Sequence, residues 1–354
     1  MKTVSPKISA AIMAAGGAIA FERFMQLALY GEGGFYTTGG QAGRRADFLT
    51  SPEVGPLFGA VIARYLDRVW DRLDRPDPFT VVDAGAGPGT LARAVLAATP
   101  ACSAALRYIA VEVSAQQRTK HPAGVESRPD LPADPFDGVV VANELLDNLP
   151  FRLCVNDGGW REAYVASGDD GAFVEVLSAP FDPVPRQLPA DAPHGARAPL
   201  VDAAGAWVAG ARSIVRSGSV LVFDYARPTT AELARRPWRE WLRTYRRHER
   251  GGHYLDHPGT QDITTDLALD QLPKPDRTDP QAAFLRRHGI DELVADGDSA
   301  WDAAAARPDL AALTMRSRRR EAEALTDPAG VGGFTVAKWW TPSGADRDTS
   351  QHPD

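Results

Sequence analysis

The segment FTVVDAGAGPGT, residues 79–90, decides the fold of this chain. An apolar run at residues 79–83 ends in an acid, passes into three glycines, and leads into a helical pattern at residues 91–98. Continuous apolar runs are typical of strands buried in parallel sheets, whose ligands bind outside the carboxyl ends of the strands. The segment therefore predicts a nucleotide-type binding loop. Its predicted contacts are Asp83, Gly85, Ala86, Gly87 and Gly89.

The spacing of these glycines distinguishes between cofactor classes. Dinucleotide loops follow G-x-G-x-x-G, whereas Thr90 stands here at the place of the third glycine. Pro88 also removes a backbone N–H that a pyrophosphate could have used. An adenosine with a zwitterionic amino-acid tail fits better, so we expect S-adenosyl-L-methionine rather than NAD. A glycine turn that binds nothing is the alternative.

Strands and helical segments alternate along the rest of the chain. Apolar runs at residues 108–113, 138–144 and 220–225 predict further core strands, and a short strand is expected near Val125. This alternation predicts an α/β fold with a doubly wound, mostly parallel, Rossmann-like sheet. Turn signals within residues 151–177 predict β-hairpins.

These patterns divide the chain into five parts. We expect a helical N-terminal and lid region at 1–75, a cofactor-binding core with a hairpin insertion at 76–226, a helical substrate-side insertion at 227–328, a closing strand of the core at 329–342 and a disordered tail at 343–354. Residues 8–20, after Lys2 and Lys7, resemble a secretory signal. Gly16 and Gly17 interrupt that run, so we expect a helix of the folded domain instead.

The ends of the next two strands offer further cofactor contacts. Glu112 is placed to accept hydrogen bonds from both ribose hydroxyls, with Val113 beside it. A plain surface glutamate is the alternative. Asp130 and Leu131, after the third strand, are expected to border the adenine, and an ordinary loop is an equal alternative.

Acidic residues follow the fourth strand, within residues 143–150. If a helical turn starts there, Glu144 and Asp147 share one face, and Asn143 precedes them. Two carboxylates beside a methyl donor suit a guanidinium, which stays protonated in proteins and needs orientation to react. A helix-capping pair is the alternative. Asp224 and Tyr225 end another core strand and are expected to add an acid and a hydroxyl, with a structural role equally open.

Two polar segments complete the predicted substrate side. Residues 47–53 are expected to fold over the cofactor as a lid, and Ser51 and Pro52 also predict the start of a helix that ends near Leu73. Residues 242–248 are basic and aromatic, and in isolation they indicate a solvated helix face. The predicted substrate contacts are Tyr30, Phe48, Ser51, Glu53, Tyr245 and His248.

Composition excludes several classes of protein. The 354 residues are 44% hydrophobic and 24% charged, which is an ordinary globular balance, and the formal net charge of -7 argues against a general nucleic-acid binder. No apolar run is long enough to predict a membrane span. Cys102 and Cys154 build neither a disulfide framework nor a metal site, so we expect a cytoplasmic protein without metal. The abundance of Ala, Arg, Pro and Asp suggests a bacterial source, and a homodimer stays open.

Taken together and in this order, the motifs resemble the MidA family, whose mitochondrial members are complex I assembly factor arginine methyltransferases. The resemblance spans about residues 21–340. The matching pieces are FERFMQLALY, ADFLTSPEVGPLFG, DAGAGPGTLARAVL, VEVS, ANELLDNLP, GWRE, FDYA, LRTYRRH, PGTQDIT, QAAFLRRHGI and GGFTVAKW.

The resemblance implies a class I methyltransferase fold, S-adenosyl-L-methionine as cofactor and symmetric dimethylation of an arginine on a protein. It implies that Gly85, Gly87 and Gly89 form the cofactor loop, that Glu112 binds the ribose, and that Asn143, Glu144 and Asp147 lie at the substrate rim. The chain departs from the family pattern at Ala46, Asp83, Ala226 and the turn after Tyr30, which indicates a divergent member.

We therefore expect a protein arginine methyltransferase. A small-molecule methyltransferase with the same cofactor loop is a second interpretation. A non-catalytic assembly module that keeps the fold is a third. A nicotinamide dehydrogenase is disfavoured by the glycine spacing.

Overall fold

The computed structural model describes residues 4–38, 50–246, 249–304, 306–307 and 309–342. Its α-helices are α1 Ser5–Ala14, α2 Phe21–Tyr30, α3 Ser51–Val54, α4 Pro56–Arg72, α5 Thr90–Ala97, α6 Ala115–Arg118, α7 Asp202–Ser213, α8 Thr230–Arg235, α9 Gln281–Arg287, α10 Ile290–Ala304 and α11 Leu310–Thr326. Its strands are β1 Ala18–Ala20, β2 Phe79–Ala84, β3 Leu106–Val111, β4 Glu126–Arg128, β5 Phe136–Asn143, β6 Arg152–Asn156, β7 Trp160–Ser167, β8 Phe173–Pro180, β9 Arg197–Leu200, β10 Val215–Asp224, β11 Ala226–Arg227, β12 Leu242–Arg246, β13 Glu249–Arg250, β14 Asp262–Thr265, β15 Leu267–Ala268, β16 Arg277–Pro280 and β17 Thr335–Thr341.

The described residues fold into two compact units. The sheet unit comprises Leu49–Asn143, Gly210–Phe223 and Pro275–Asp354. The hairpin unit comprises Met1–Phe48, Glu144–Ala209 and Asp224–Lys274. The tail at 343–354, which we expected to be disordered, lies outside the described residues.

A seven-stranded sheet forms the centre of the sheet unit. Its strand order is β16-β17-β10-β5-β2-β3-β4, and the five strands from β10 to β4 pair in parallel. β2 is buried along its whole length, as its continuous apolar pattern predicts. The order reverses between β2 and β5, which is the position where doubly wound sheets bind ligands. The predicted α/β fold with a mainly parallel sheet is confirmed.

Helix α4 packs its apolar face on this sheet. Leu57, Phe58, Val61 and Leu66 join the core together with sheet residues such as Phe79. The sequence predicted one helix from Ser51 to Leu73, and this is wrong, because Gly55 adopts an extended backbone and Pro56 restarts the helix.

Buried Glu321 explains this break. Its Oε2 accepts a hydrogen bond of 2.9 Å from the Leu57 N–H, and a side chain at Gly55 would collide with the same carboxylate. A carboxylate here satisfies one of the free N–H groups at the start of α4 and interacts favourably with the helix dipole.

The hairpin unit contains an antiparallel sheet of five strands, in which β1, β6 and β8 all pair with β7, and β9 pairs with β6. The hairpins predicted in residues 151–177 are confirmed as β6, β7 and β8. The helix expected over residues 8–20 is too long, since α1 ends at Ala14 and β1 follows. Gly16 and Gly17 lie between them at positive φ, a conformation that does not continue a helix.

The region predicted as a helical insertion, residues 227–328, contains strands in its first part and helices in its second. β12 pairs antiparallel with β13 and β14. The expectation that residues 242–248 form a solvated helix face is therefore wrong, because Leu242–Arg246 is a strand with alternating burial. The predicted closing strand is confirmed as β17. Among the described helices, none is long and apolar enough to cross a membrane.

Candidate functional site

The glycine loop, residues 85–89, follows β2 in the sheet unit. The N–H groups of Gly85 and Ala86 donate to the carbonyl of Val111 at 2.9 and 3.0 Å, which ties the loop to the end of β3. Gly87 has φ +52° and Gly89 has φ +81°, both in the left-handed region that favours glycine. Gly89 is also the N-cap of α5, so the loop ends at a helix N-terminus.

Glu112 connects this loop to the end of β3. Its Oε2 accepts from the Gly87 N–H at 3.0 Å and its Oε1 accepts from the Ser114 N–H at 2.8 Å, with the side chain only 9% exposed. A carboxylate offers about four acceptor positions, so capacity remains for further donors. The Arg118 guanidinium donates to the backbone carbonyl of Glu112 and thereby holds the turn in place.

Asp83 lies at the end of β2, buried beside Tyr108. The Tyr108 hydroxyl donates to Asp83 Oδ2 at 3.2 Å. Burial raises the pKa of Asp83 to about 7, with the Tyr108 hydrogen bond opposing and nearby Glu112 adding to the rise. Three other predicted cofactor contacts are more accessible. Val113 is 58% exposed. After β4, Asp130 is exposed and Leu131 is half-buried.

Five acids of the hairpin unit form what we call the acidic cluster. Its members are Glu144, Asp147, Asp224, Asp262 and Asp266. Each acid except Glu144 is buried, and electrostatic coupling links Asp147 to Asp224, Asp262 and Asp266, and Asp224 to Glu144. The sequence predicted Glu144, Asp147 and Asp224, and the structure adds Asp262 and Asp266.

Asp224 organises the segment that carries Glu144 and Asp147. Its Oδ2 accepts from the N–H groups of Leu146 and Asp147, at 2.9 and 3.2 Å, and its Oδ1 accepts from the Tyr225 N–H. The helical face predicted for Glu144 and Asp147 is wrong. Glu144 has φ +50°, and only a short 3-10 turn forms at Leu146–Asn148.

Asp147 carries an atom that has no partner among the described residues. The side chain is 2% exposed, yet Oδ1 receives no hydrogen bond from any described group. Burial and the neighbouring acids, Asp224 first, raise its pKa well above the usual range, while Arg243 lowers it. Burial and repulsion from Glu144 also raise the pKa of Asp224, opposed by three backbone N–H groups that stabilise its charged form.

Asp262 extends the cluster through tyrosine and amide donors. The Tyr36 hydroxyl donates to its Oδ1 at 3.0 Å, and the Asn148 amide donates to both carboxylate oxygens. Tyr30, a predicted substrate contact, donates to the Asn148 carbonyl at 3.1 Å and stacks on Tyr36. The motif PGTQDIT includes Asp262, so the resemblance held a signal for it that residue-by-residue reasoning passed over.

Arg243 places a guanidinium inside the acidic cluster. Its Nη2 lies 2.8 Å from Asp266 Oδ1, and its guanidinium lies 4.3 Å from the centre of the Tyr225 ring. In the β12–β14 pairing, Arg243 faces Thr264 and Tyr245 faces Asp262, so these four side chains share one face of the sheet. Sequence reasoning missed Arg243 because it treated the segment as a solvated helix.

The remaining predicted substrate contacts lie elsewhere or outside the described residues. Ser51 is buried in the sheet unit and donates to Gln281 Oε1 at 2.9 Å, and Glu53 lies half-buried in the first turn of α3. Phe48 and His248 are outside the described residues. No group of three or more His, Cys, Asp or Glu residues in the described part of the chain could hold a metal ion.

Comparison with known proteins identifies a family for this chain. Residues 61–284 match the model of a family described as putative S-adenosyl-L-methionine-dependent methyltransferases. The chain is 26% identical over 304 residues to the mitochondrial protein arginine methyltransferase NDUFAF7 homologue of Drosophila melanogaster, an alignment that covers 75% of this chain and 68% of the relative.

Two crystal structures from Burkholderia thailandensis share the fold. A COG1565 superfamily member with bound S-adenosyl-homocysteine is 31% identical, with a TM-score of 0.82 and coverage of 96% of this chain and 92% of the other. A native structure of a protein from the same superfamily is 29% identical, with a TM-score of 0.80 and coverage of 96% and 91%. The chain belongs to the family of S-adenosyl-L-methionine-dependent methyltransferases, and it is an enzyme of the class I methyltransferase fold.

Proposed function

We propose that this methyltransferase acts on the guanidinium of an arginine side chain in a protein. The observation that carries the proposal is Asp147, a buried acid whose Oδ1 has no hydrogen-bond donor among the described residues. A buried polar atom left without a partner is costly, about 1–3 kcal/mol, so such an atom points to a ligand group that donates. A guanidinium offers five donors in a planar fork and matches a carboxylate well.

The charge balance of the acidic cluster supports a cationic acceptor. Arg243 and Arg227 both form ion pairs with Asp266, at 2.8 and 3.2 Å. Both of these cations are therefore paired with the same acid of the cluster. A cation bound beside Asp147 would offset the repulsion that raises the pKa of this acid.

The cluster also contains the elements that chemistry on a guanidinium requires. S-adenosyl-L-methionine supplies the methyl group when it is bound. Asp147 would orient the guanidinium and draw its positive charge away from the attacking nitrogen. As the new N–C bond forms and the methyl–sulfur bond breaks, that nitrogen loses a proton, which an acid of the cluster accepts. Glu144, Asp224 and Tyr225 are proposed to complete this arrangement.

We propose that the protein backbone at Gly85, Gly87 and Gly89 lies close to the cofactor, and that Glu112 binds the ribose hydroxyls. Val113, Asp130, Leu131 and Asn143 would line the remainder of the cofactor site. The Drosophila relative is an arginine methyltransferase by name, which supports a protein arginine and, through the resemblance to MidA proteins, symmetric dimethylation. A cytoplasmic location accords with two free, buried cysteines.

The test is to identify the side chain that receives the methyl group. Tritiated S-adenosyl-L-methionine would be incubated with the enzyme and a host lysate, and labelled proteins would be sequenced by mass spectrometry. A labelled arginine site would then be made as two peptides, one with arginine and one with citrulline, which has the same shape but no charge. We expect label in the arginine peptide only. Label on lysine, on a hydroxyl or on small molecules alone would refute the proposal.

A further inference from the structure

A second charged site lies in the sheet unit, at the edge formed by β16 and β17. A cavity of about 40 Å³ is lined there by Arg277, Asp279, Arg287, His288 and Lys338, over an apolar floor of Phe284 and Val336. A cavity needs roughly 10–15 Å³ to hold one water, so this one admits a group larger than a single water.

Cations outnumber acids around this cavity. Arg287 and Arg277 both pair with Asp279, at 2.7 and 2.8 Å, which uses the one carboxylate in the lining. Arg68 and Arg72 add charge from α4, and Asp276 adds one further acid. Among the described groups that act electrostatically on His288 and Lys338, these two included, five are cations and two are carboxylates, in a chain whose net charge is -7.

Lys338 is a cation of this set whose charge no described acid neutralises through an ion pair. It stands directly opposite Arg277 in the antiparallel β16–β17 pair, a cross-strand placement of like charges that is destabilising on its own. Within the described ranges its ammonium forms no ion pair and no hydrogen bond, although the residue is half-buried. Burial and the neighbouring arginines lower the pKa of Lys338, so the surroundings work against its charge.

His288 contributes no negative charge to the cavity. Its ring is buried, its Nδ1 lies 3.2 Å from Arg68 Nη1, and burial together with Arg68, Arg287 and Lys338 lowers its pKa to about 3. The imidazole is therefore neutral at physiological pH and can offer a hydrogen bond to a ligand without adding charge.

We propose that this cavity, defined by Arg277, Arg287, His288 and Lys338, binds a small oxyanion, either a phosphate group or a carboxylate. The anion would lie between the Lys338 ammonium and the guanidinium groups that already share Asp279. It would offset the repulsion between Lys338 and Arg277 across the strands. The site is separate in sequence from both the glycine loop and the acidic cluster, and it does not depend on the proposed arginine acceptor.

The test uses inorganic phosphate and acetate as two separate probes. Each would be titrated into the full chain, with chloride replaced at constant ionic strength, and binding would be followed by calorimetry and by the melting temperature. Because phosphate stabilises many proteins non-specifically, a specific site is recognised by comparing the anion effect between variants. Lys338→Met removes the ammonium and keeps the length of the side chain. Arg286→Met is the matched control, since Arg286 is exposed on α9, the helix that carries Arg287, and its replacement removes the same charge.

We expect at least one of the two anions to bind, and its affinity to fall about tenfold or more in Lys338→Met while Arg286→Met keeps it. In chloride alone, Lys338→Met should melt at the same temperature as the parent or higher, because a like-charge pair is removed. S-adenosyl-homocysteine binding, measured in parallel, should be unchanged and would show that the variant is folded. Equal anion effects in the parent and Lys338→Met, or no anion effect beyond that of chloride, would overturn the proposal.

Discussion

The glycine loop of the sheet unit and the acidic cluster of the hairpin unit both depend on buried carboxyl groups. The two regions differ in the hydrogen bonds that these carboxyl groups accept. Both oxygens of Glu112 accept backbone N–H groups, and Asp83 accepts the Tyr108 hydroxyl. In the acidic cluster, Asp147 Oδ1 has no donor among the described residues. The loop is thus a site whose own bonds hold its shape, whereas the cluster has an acceptor that a ligand can satisfy.

The two regions also differ in how the chain assembles them. The glycine loop and its supports come from residues 83–128, in consecutive strands and turns. The cluster brings together residues near positions 36, 147, 224, 243 and 262, which five separate segments supply. Local sequence can therefore specify a cofactor loop, whereas an acceptor site depends on long-range packing.

The largest expected effect comes from Asp147→Asn. If a guanidinium binds there through two hydrogen bonds, methyl transfer should fall about 1,000-fold, or about 4 kcal/mol, because each charge-assisted hydrogen bond contributes about 1.5–3 kcal/mol. S-adenosyl-homocysteine affinity, measured by calorimetry, should stay within about threefold. Asp169→Asn, an exposed acid in the β7–β8 turn of the same unit, is the control and should leave transfer unchanged. Transfer that survives in Asp147→Asn would show that the cluster is not the acceptor site.

Asp83→Asn tests the buried acid of the other region. Since the folded pKa of Asp83 is raised from 3.8 to about 7, the folded state binds more protons than the unfolded state between these values. The parent should therefore lose up to about 4 kcal/mol of stability from this group as the pH rises from 4 to 7, and no more above pH 7.

Asp83→Asn lacks the titrating group, so its stability should decline less over the same interval, as measured by urea unfolding at several pH values. Asp134→Asn, exposed in the loop before β5, should follow the parent curve. Parallel curves for the parent and Asp83→Asn would mean that Asp83 titrates at an ordinary pKa.

Gly89→Ala tests whether cofactor binding depends on the conformation of the glycine loop. An alanine at φ +81° is strained by about 1–2 kcal/mol, and its Cβ would lie 3.0 Å from Pro122 Cδ. We expect S-adenosyl-homocysteine to bind about tenfold more weakly, since a shifted loop loses its fit. Gly124→Ala is a close control, because Gly124 has φ +83° and open space around it. If both variants lose the same affinity, general strain and not the loop explains the effect.

The smallest expected effect is a dependence of acceptor binding on pH. A bound guanidinium stabilises the charged form of Asp147, whose pKa is otherwise well above 3.8, so binding releases a proton. Affinity for an arginine peptide should then rise with pH, by about threefold for each pH unit over the range in which free Asp147 titrates. Calorimetry in two buffers with different ionisation enthalpies would count the proton. If no proton is released on binding, Asp147 does not lose a proton when the acceptor binds, and this prediction is wrong.

Sequence reasoning succeeded where the signal was local. Residues 79–90 predicted β2, the glycine loop and the start of α5, because a buried strand and a glycine turn each leave a short-range pattern. It failed at residues 242–248, where a basic and aromatic segment was interpreted as a helix face. Within that segment Leu242–Arg246 is β12, and the position of Arg243 is set by its pairing with Thr264 in β14.

The chain by itself determined the core strands of the sheet unit in their chain order, the turn after β2 and the acids at the ends of β3, β5 and β10. These follow from apolar periodicity and from backbone conformations that only glycine adopts easily. Tertiary structure alone decided which acids meet, that Asp147 is buried with an oxygen that no described residue hydrogen-bonds, and that Arg243 joins them. Burial and charge coupling depend on the distance between residues far apart in the chain, and no local pattern encodes that distance.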